Sequence, residues 1–177
     1  MPSSDPQIQL SLQERYAPRS ICFGCGPANA EGLRIRSLTV SEDSDEVVLE
    51  WMPEPHHQAF DGIVNGGIVG ALLDCHSNWA AAWHLKRRND LETTPVTVTA
   101  DFHVTLKRPT PSDQPLGITA VATQSEGNWV TVDADVLCAG VVTARCTGRF
   151  VAVGPGHPAY EASQHLPNGP DSLSSGA

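Results

Sequence analysis

Hydrophobic and polar residues alternate with a period of two through much of the chain's second half. In VTVTADFHVTL (96–106), Val96, Val98, Ala100, Phe102, Val104 and Leu106 fall on one side. Thr97, Thr99, Asp101, His103 and Thr105 fall on the other. That is the mark of a strand with one covered face. The same period recurs at Leu116, Ile118, Ala120 and Ala122, at Val130, Val132, Ala134 and Val136, and at Val142, Ala144, Cys146, Gly148 and Phe150. LRIRSLTV (33–40) and EVVLEW (46–51) predict two earlier strands. The connections RPTPSDQP (108–115), SEGN (125–128) and CAG (138–140) carry turn residues, and short connections favour antiparallel pairing.

One segment breaks the period. From the Gly66-Gly67 pair to about Arg88 the spacing predicts a helix, apolar nearly all round its first turns and therefore buried. It ends in Lys86, Arg87 and Arg88, where cations suit the helix dipole. Two strands, a buried helix and four strands predict an α+β fold, an antiparallel β-sheet wrapped around one central α-helix. Residues 20–153 carry this pattern; residues 1–19 and the Gly/Pro/Ser-rich residues 154–177 are expected to be flexible tails.

Asp74 is out of place in that helix, among Ile68, Val69, Leu72, Leu73 and Trp79. Burial disfavours a charged carboxylate and raises its pKa, which brings it closer to useful basicity. The plainer alternative is a structural Asp bonded to Ser77 or Asn78 on its own helix.

Composition narrows the function. A chain of 177 residues, 40% hydrophobic and 18% charged, suits one globular domain. Its net charge of -9 argues against nucleic acid as principal partner. The local clusters Lys86-Arg87-Arg88 and Lys107-Arg108 suit either a small polyanion or simple solvation. No apolar run is long enough to span a membrane and no secretion signal is visible, so the expected location is the cytoplasm. Of five cysteines, Cys22 and Cys25 form one CxxC with no second half at zinc-finger spacing. A tight Gly-containing turn is expected there in preference to metal or redox chemistry, and Cys75, Cys138 and Cys146 read as small core residues. No metal and no cofactor are expected.

GIVNGGIVGALLDCHSNWAA, with CFGCGPANAEGLRIR (22–36) before it and TADFHVTLKRPTP (99–111) after it, resembles the hotdog-fold acyl-CoA thioesterase superfamily. More narrowly it is similar to the phenylacetate-degradation and 4-hydroxybenzoyl-CoA thioesterase type. The hallmark there is Gly-hydrophobe-hydrophobe-His-Gly-Gly, then an acid about two helical turns on. Gly62-Ile63-Val64-Asn65-Gly66-Gly67 and Asp74 occupy those places, with Asn65 standing where the family has His. Asn cannot titrate near neutral pH, so any role needing an imidazole is lost.

The resemblance implies hydrolysis of an acyl-CoA to free acid and CoA. Asp74 would activate water, the Gly66 and Gly67 amides would polarise the thioester carbonyl, and Thr99 would hold the attacking water. His57 would line the acyl entrance. Lys86, Arg87, Arg88, Lys107 and Arg108 are the candidates for the CoA phosphates. The sites would lie between the subunits of a homodimer or tetramer. The alternative, prompted by Asn65, is a hotdog protein that binds acyl-CoA without hydrolysing it. A hydration reaction is disfavoured, because the spacing it needs would place His where Gly67 follows Asp61. Trp79 and Trp83, one turn apart, read more readily as core than as pocket walls.

Overall fold

The computed structural model describes residues 9–165. A six-stranded antiparallel sheet is ordered β1-β2-β6-β7-β8-β5, with strands β1 (Leu38–Thr39), β2 (Val47–Trp51), β5 (Val96–Leu106), β6 (Leu116–Glu126), β7 (Trp129–Cys138) and β8 (Val141–Val153). A small hairpin of β3 (Gln58–Phe60) and β4 (Ile63–Val64) leads into the 23-residue helix α2 (Gly66–Arg88). Short helices α1 (Leu12–Tyr16) and α3 (Pro158–Gln164) flank this core. The architecture is the expected α+β hotdog arrangement.

Alternation builds the core. Val69, Leu72, Leu73, Trp83 and Leu85 of α2 are buried with Val47 and Leu49 of β2, Ile118 and Ala120 of β6, Val132 and Val136 of β7, and Ala144 and Phe150 of β8. Each of these β-residues alternates with a more exposed neighbour, so one sheet face is apolar and closes on the helix. The other face carries polar rungs: Arg145 forks onto Asp135 at 2.6 Å, Thr147 meets Asp133 and Arg149 meets Asp101. The two-residue link Ala139–Gly140 has φ of 48° and 76°, the left-handed pair that suits a tight hairpin's twist.

Four departures from the sequence pattern matter. Residues 33–37 are not a strand: Arg34 has a φ of 55°, and the Leu33 and Ile35 amides donate to the carbonyls of Phe23 and Gly24. The segment before residue 20 is not a flexible tail throughout. Ser11 and Glu14 form a reciprocal cap on α1, Leu12 and Gln13 are buried, and the Gln13 side chain bonds both the hydroxyl and the amide of Ser37. At the other end Pro158–Gln164 is helical, with the Pro at its first turn; residues 166–177 and 1–8 lie outside the described residues.

The fourth departure is a bulge in β5 at Ala100. Thr99 pairs with Phe150, but Asp101 pairs with Arg149 and Phe102 with Gly148. Facing residues of an antiparallel pair share a sheet face. Thr97 and Thr99 therefore lie on the helix-facing side, as do Phe102, Val104 and Leu106 beyond the bulge. Alternation read straight through places those two groups on opposite faces. The extra residue reverses the parity.

Candidate active site

The bulge brings Thr99 to Asp74. Thr99 Oγ1 donates to Asp74 Oδ1 at 2.7 Å. Neither Ser77 nor Asn78 bonds the carboxylate; the Ser77 hydroxyl is buried without a partner. Asn78, one turn along α2, instead accepts from Thr97 Oγ1 at 2.5 Å and aims its Nδ2 at Thr99 Oγ1, at 3.5 Å. Asn78 thus extends a polar chain of Thr97, Asn78, Thr99 and Asp74 across the interface of helix and sheet. In the sequence Asn78 stands out only as a neighbour of Asp74 at i+4, since its threonine partners lie about 20 residues downstream.

Asp74 is half-buried. Desolvation pushes its carboxyl above the ordinary range, the Thr99 hydroxyl pulls it partly back, and a thiolate at Cys22 pushes it up again. The group is therefore a stronger base than a solvated carboxylate, with one oxygen fixed by Thr99.

At the start of α2 the two glycines are not equivalent. Asn65 is the N-cap: its Oδ1 accepts from the Gly67 amide at 2.8 Å and from the Ile68 amide at 3.4 Å. The expectation that both glycine amides stand ready for a substrate carbonyl is corrected here, because the Gly67 N–H is engaged by its own cap. Gly66 lies in the first turn, where an amide has no intrahelical acceptor, and no side chain or loop carbonyl among the described residues takes it. Asn65 itself is held by its backbone N–H on the His57 carbonyl at 2.8 Å.

His57 is placed differently from its expected position at an acyl entrance. It is buried against Trp51, its ring centroid 4.9 Å from that ring, and its Nδ1 accepts from the Glu54 amide at 2.9 Å. Burial and the neighbouring His56 push its pKa down. It anchors the approach to Asn65 by packing and by its carbonyl.

The basic clusters separate. Arg87 is paired with Asp45 at 2.5 Å and with the Asp43 carbonyl, Arg88 meets the Ser125 hydroxyl, and the Lys86 ammonium lies over the Tyr16 and Trp83 rings. Twenty residues of helix put this end about 30 Å from Gly66. Lys107 and Arg108 are exposed just beyond Leu106, and Leu106 Cδ1 lies 3.1 Å from where a Cβ on Gly66 would sit. They are the basic pair beside the start of α2.

A cavity of about 750 Å³ opens between α2, the segment Tyr16–Cys25, the stretch before β5, and α3. Trp79, Asn78 and Thr97 are among its walls. It adjoins the polar chain at Asn78 without including Asp74 or Gly66. Trp83, by contrast, is core, 1% exposed, with its indole N–H on the Ser44 carbonyl.

An antiparallel sheet wrapped on a central helix, with an acid two turns past a Gly-Gly start, defines a hotdog protein. Solved structures similar to it include thioesterase superfamily proteins. One from Shewanella loihica PV-4 superposes with a TM-score of 0.56 at 25% identity, over 72% of this chain and 98% of that one. A second thioesterase superfamily protein gives 0.61 at 24% identity, over 85% and 72%. The E. coli PaaI protein, from the phenylacetic acid degradation operon, gives 0.59 at 16% identity, over 72% and 85%. No family profile and no curated protein sequence matches the chain. No helix among the described residues is long and apolar enough to cross a membrane.

Proposed function

We propose that this protein hydrolyses an acyl-CoA thioester, with Asp74 as the general base. The observation that carries the reading is the half-buried Asp74 carboxylate, raised in basicity by desolvation and oriented by Thr99 at 2.7 Å. Asp74 Oδ2 takes a proton from water as that water attacks the thioester carbon. The tetrahedral oxyanion is met by the Gly66 amide at the positive end of α2 and by the carboxamide N–H₂ of Asn65, whose Oδ1 is already committed to the cap. Collapse expels the CoA thiolate, which takes up the proton Asp74 had received and leaves as the thiol, returning Asp74 to its carboxylate.

Geometry supports a site shared between two copies. Asp74 and Gly66 are eight residues apart on one helix, about 12 Å along its axis. A base and an oxyanion donor must both come within about 3 Å of one reacting group. A single copy cannot do this, whereas the Asp74 of one subunit and the Gly66 of its partner can. Lys107 and Arg108, beside Gly66, are the proposed contacts for the CoA phosphates in place of the distant Lys86–Arg88. The cavity beside Asn78 and Trp79 would take the acyl group.

The experiment is release of free thiol from a panel of aliphatic and aromatic acyl-CoAs. Wild type should turn over at least one, and Asp74→Ala should lose on the order of a hundredfold or more in kcat. Turnover that survives the substitution removes Asp74 from the mechanism. Calorimetric binding of acyl-CoA with no thiol released supports the non-hydrolytic reading instead.

A further inference from the structure

The CFGCG turn has a third thiol against it. Cys75, next after Asp74 on α2, brings its Sγ to 3.9 Å from Cys22 Sγ, and the sulfurs of Cys22, Cys25 and Cys75 all lie within 4.8 Å of one another. An ion bound at about 2.3 Å from each of three thiolates holds the sulfurs about 4 Å apart. The spacing found is close to that demand.

The surroundings suit thiolates. The Trp79 indole N–H donates to Cys25 Sγ at 3.4 Å. The loop is also shaped around Cys75: a Cβ at Gly24 would collide with its Sγ, and the Gly26 amide closes the turn on the Cys22 carbonyl at 2.9 Å. Cys25 is buried, Cys75 half-buried and Cys22 exposed, so the cluster is walled on the protein side and open on the other.

We propose that Cys22, Cys25 and Cys75 form a three-thiolate site for a soft divalent cation of the Zn²⁺ type, with its fourth position open to water beside Cys22. Binding forms three sulfur–metal bonds and releases the thiol protons to solvent. No electron moves, so no oxidant is needed. The CxxC supplies two ligands and the helix the third, where a second CxxC would stand in a zinc finger.

The test is spectroscopic and independent of thioester turnover. Reduced, full-length protein is stripped with a chelator under nitrogen and titrated with Co²⁺, then with Zn²⁺. A single equivalent of Co²⁺ should produce thiolate-to-cobalt charge-transfer absorption that Zn²⁺ then abolishes by displacement. Cys22→Ser, a near-isosteric change at an exposed position, should lose the band, and Cys138→Ser, in β7, should keep it. Absence of the band from the wild-type protein overturns the site, as does a band left unchanged by both Cys22→Ser and Cys75→Ser.

Discussion

At the residue scale, the Thr99–Asp74 bond has a readable consequence. On the proposed mechanism Asp74 serves as a base only when ionised, so activity should rise with pH through its raised pKa. The Thr99 hydroxyl stabilises the charged form and lowers that pKa. Thr99→Val keeps the shape, removes the bond, and should move the acidic limb of the kcat/KM profile to higher pH. A limb that stays in place would assign Thr99 to strand packing alone. His76 offers a second reading by pH, this time of stability. It is fully buried, with Nδ1 at 2.9 Å from the Ser37 hydroxyl and Nε2 at 3.0 Å from the Val47 carbonyl, and desolvation pushes it down to about 4. The unfolded imidazole titrates near 6.5. The folded state therefore resists protonation, so stability is full above about pH 6.5 and falls as pH drops from there toward about 4, by on the order of 3 kcal/mol. Denaturant midpoints at about pH 7 and about pH 5 should show the loss, and His76→Gln should reduce it.

At the element scale, the helix is held at its start by one side chain. Asn65→Ala removes the cap from the Gly67 and Ile68 amides and should cost about 1 kcal/mol, read as a lower Tm, while Asn65→Asp should keep most of it. The helix, β2 and the long strands β5 to β8 were legible because period and punctuation agree: Gly66-Gly67 opens α2, and turn residues separate β5 to β8. The bulge at Ala100 was not, because Val, Ala, Phe and Leu continue their alternation through it unbroken. That hid which face carries Thr99, although Thr99 itself was singled out. Helix α1 had a signal, Ser11 with Glu14 three residues on, in a segment otherwise dominated by polar residues and prolines. Cys75 had none. Its relation to Cys22 spans 53 positions and exists only because the loop folds back on α2.

At the scale of the whole molecule, β5 is unfinished. It is an 11-residue strand at the end of the sheet, bonded to β8 on one side only, and no residue along it is fully buried. Every other long strand alternates buried and exposed positions. A long, unpaired edge with apolar side chains invites association, and a second copy pairing there would cover it. Phe102 and Leu106, 43% and 55% exposed, stand on the helix-facing side of that strand, and Leu106 reaches the start of α2 at Gly66. In the proposed shared site, the partner that buries them brings the Gly66 amide of one copy toward the polar chain of the other. Oligomerisation and turnover should therefore fail together. Phe102→Asp places a charge on the proposed interface without touching Asp74, Thr99 or Gly66. Sedimentation should show it shifting from dimer or tetramer toward monomer, with thiol release falling in proportion to the monomer fraction. A monomeric variant that retains full turnover would mean that one copy is sufficient and would rule out a site shared between Asp74 of one subunit and Gly66 of its partner.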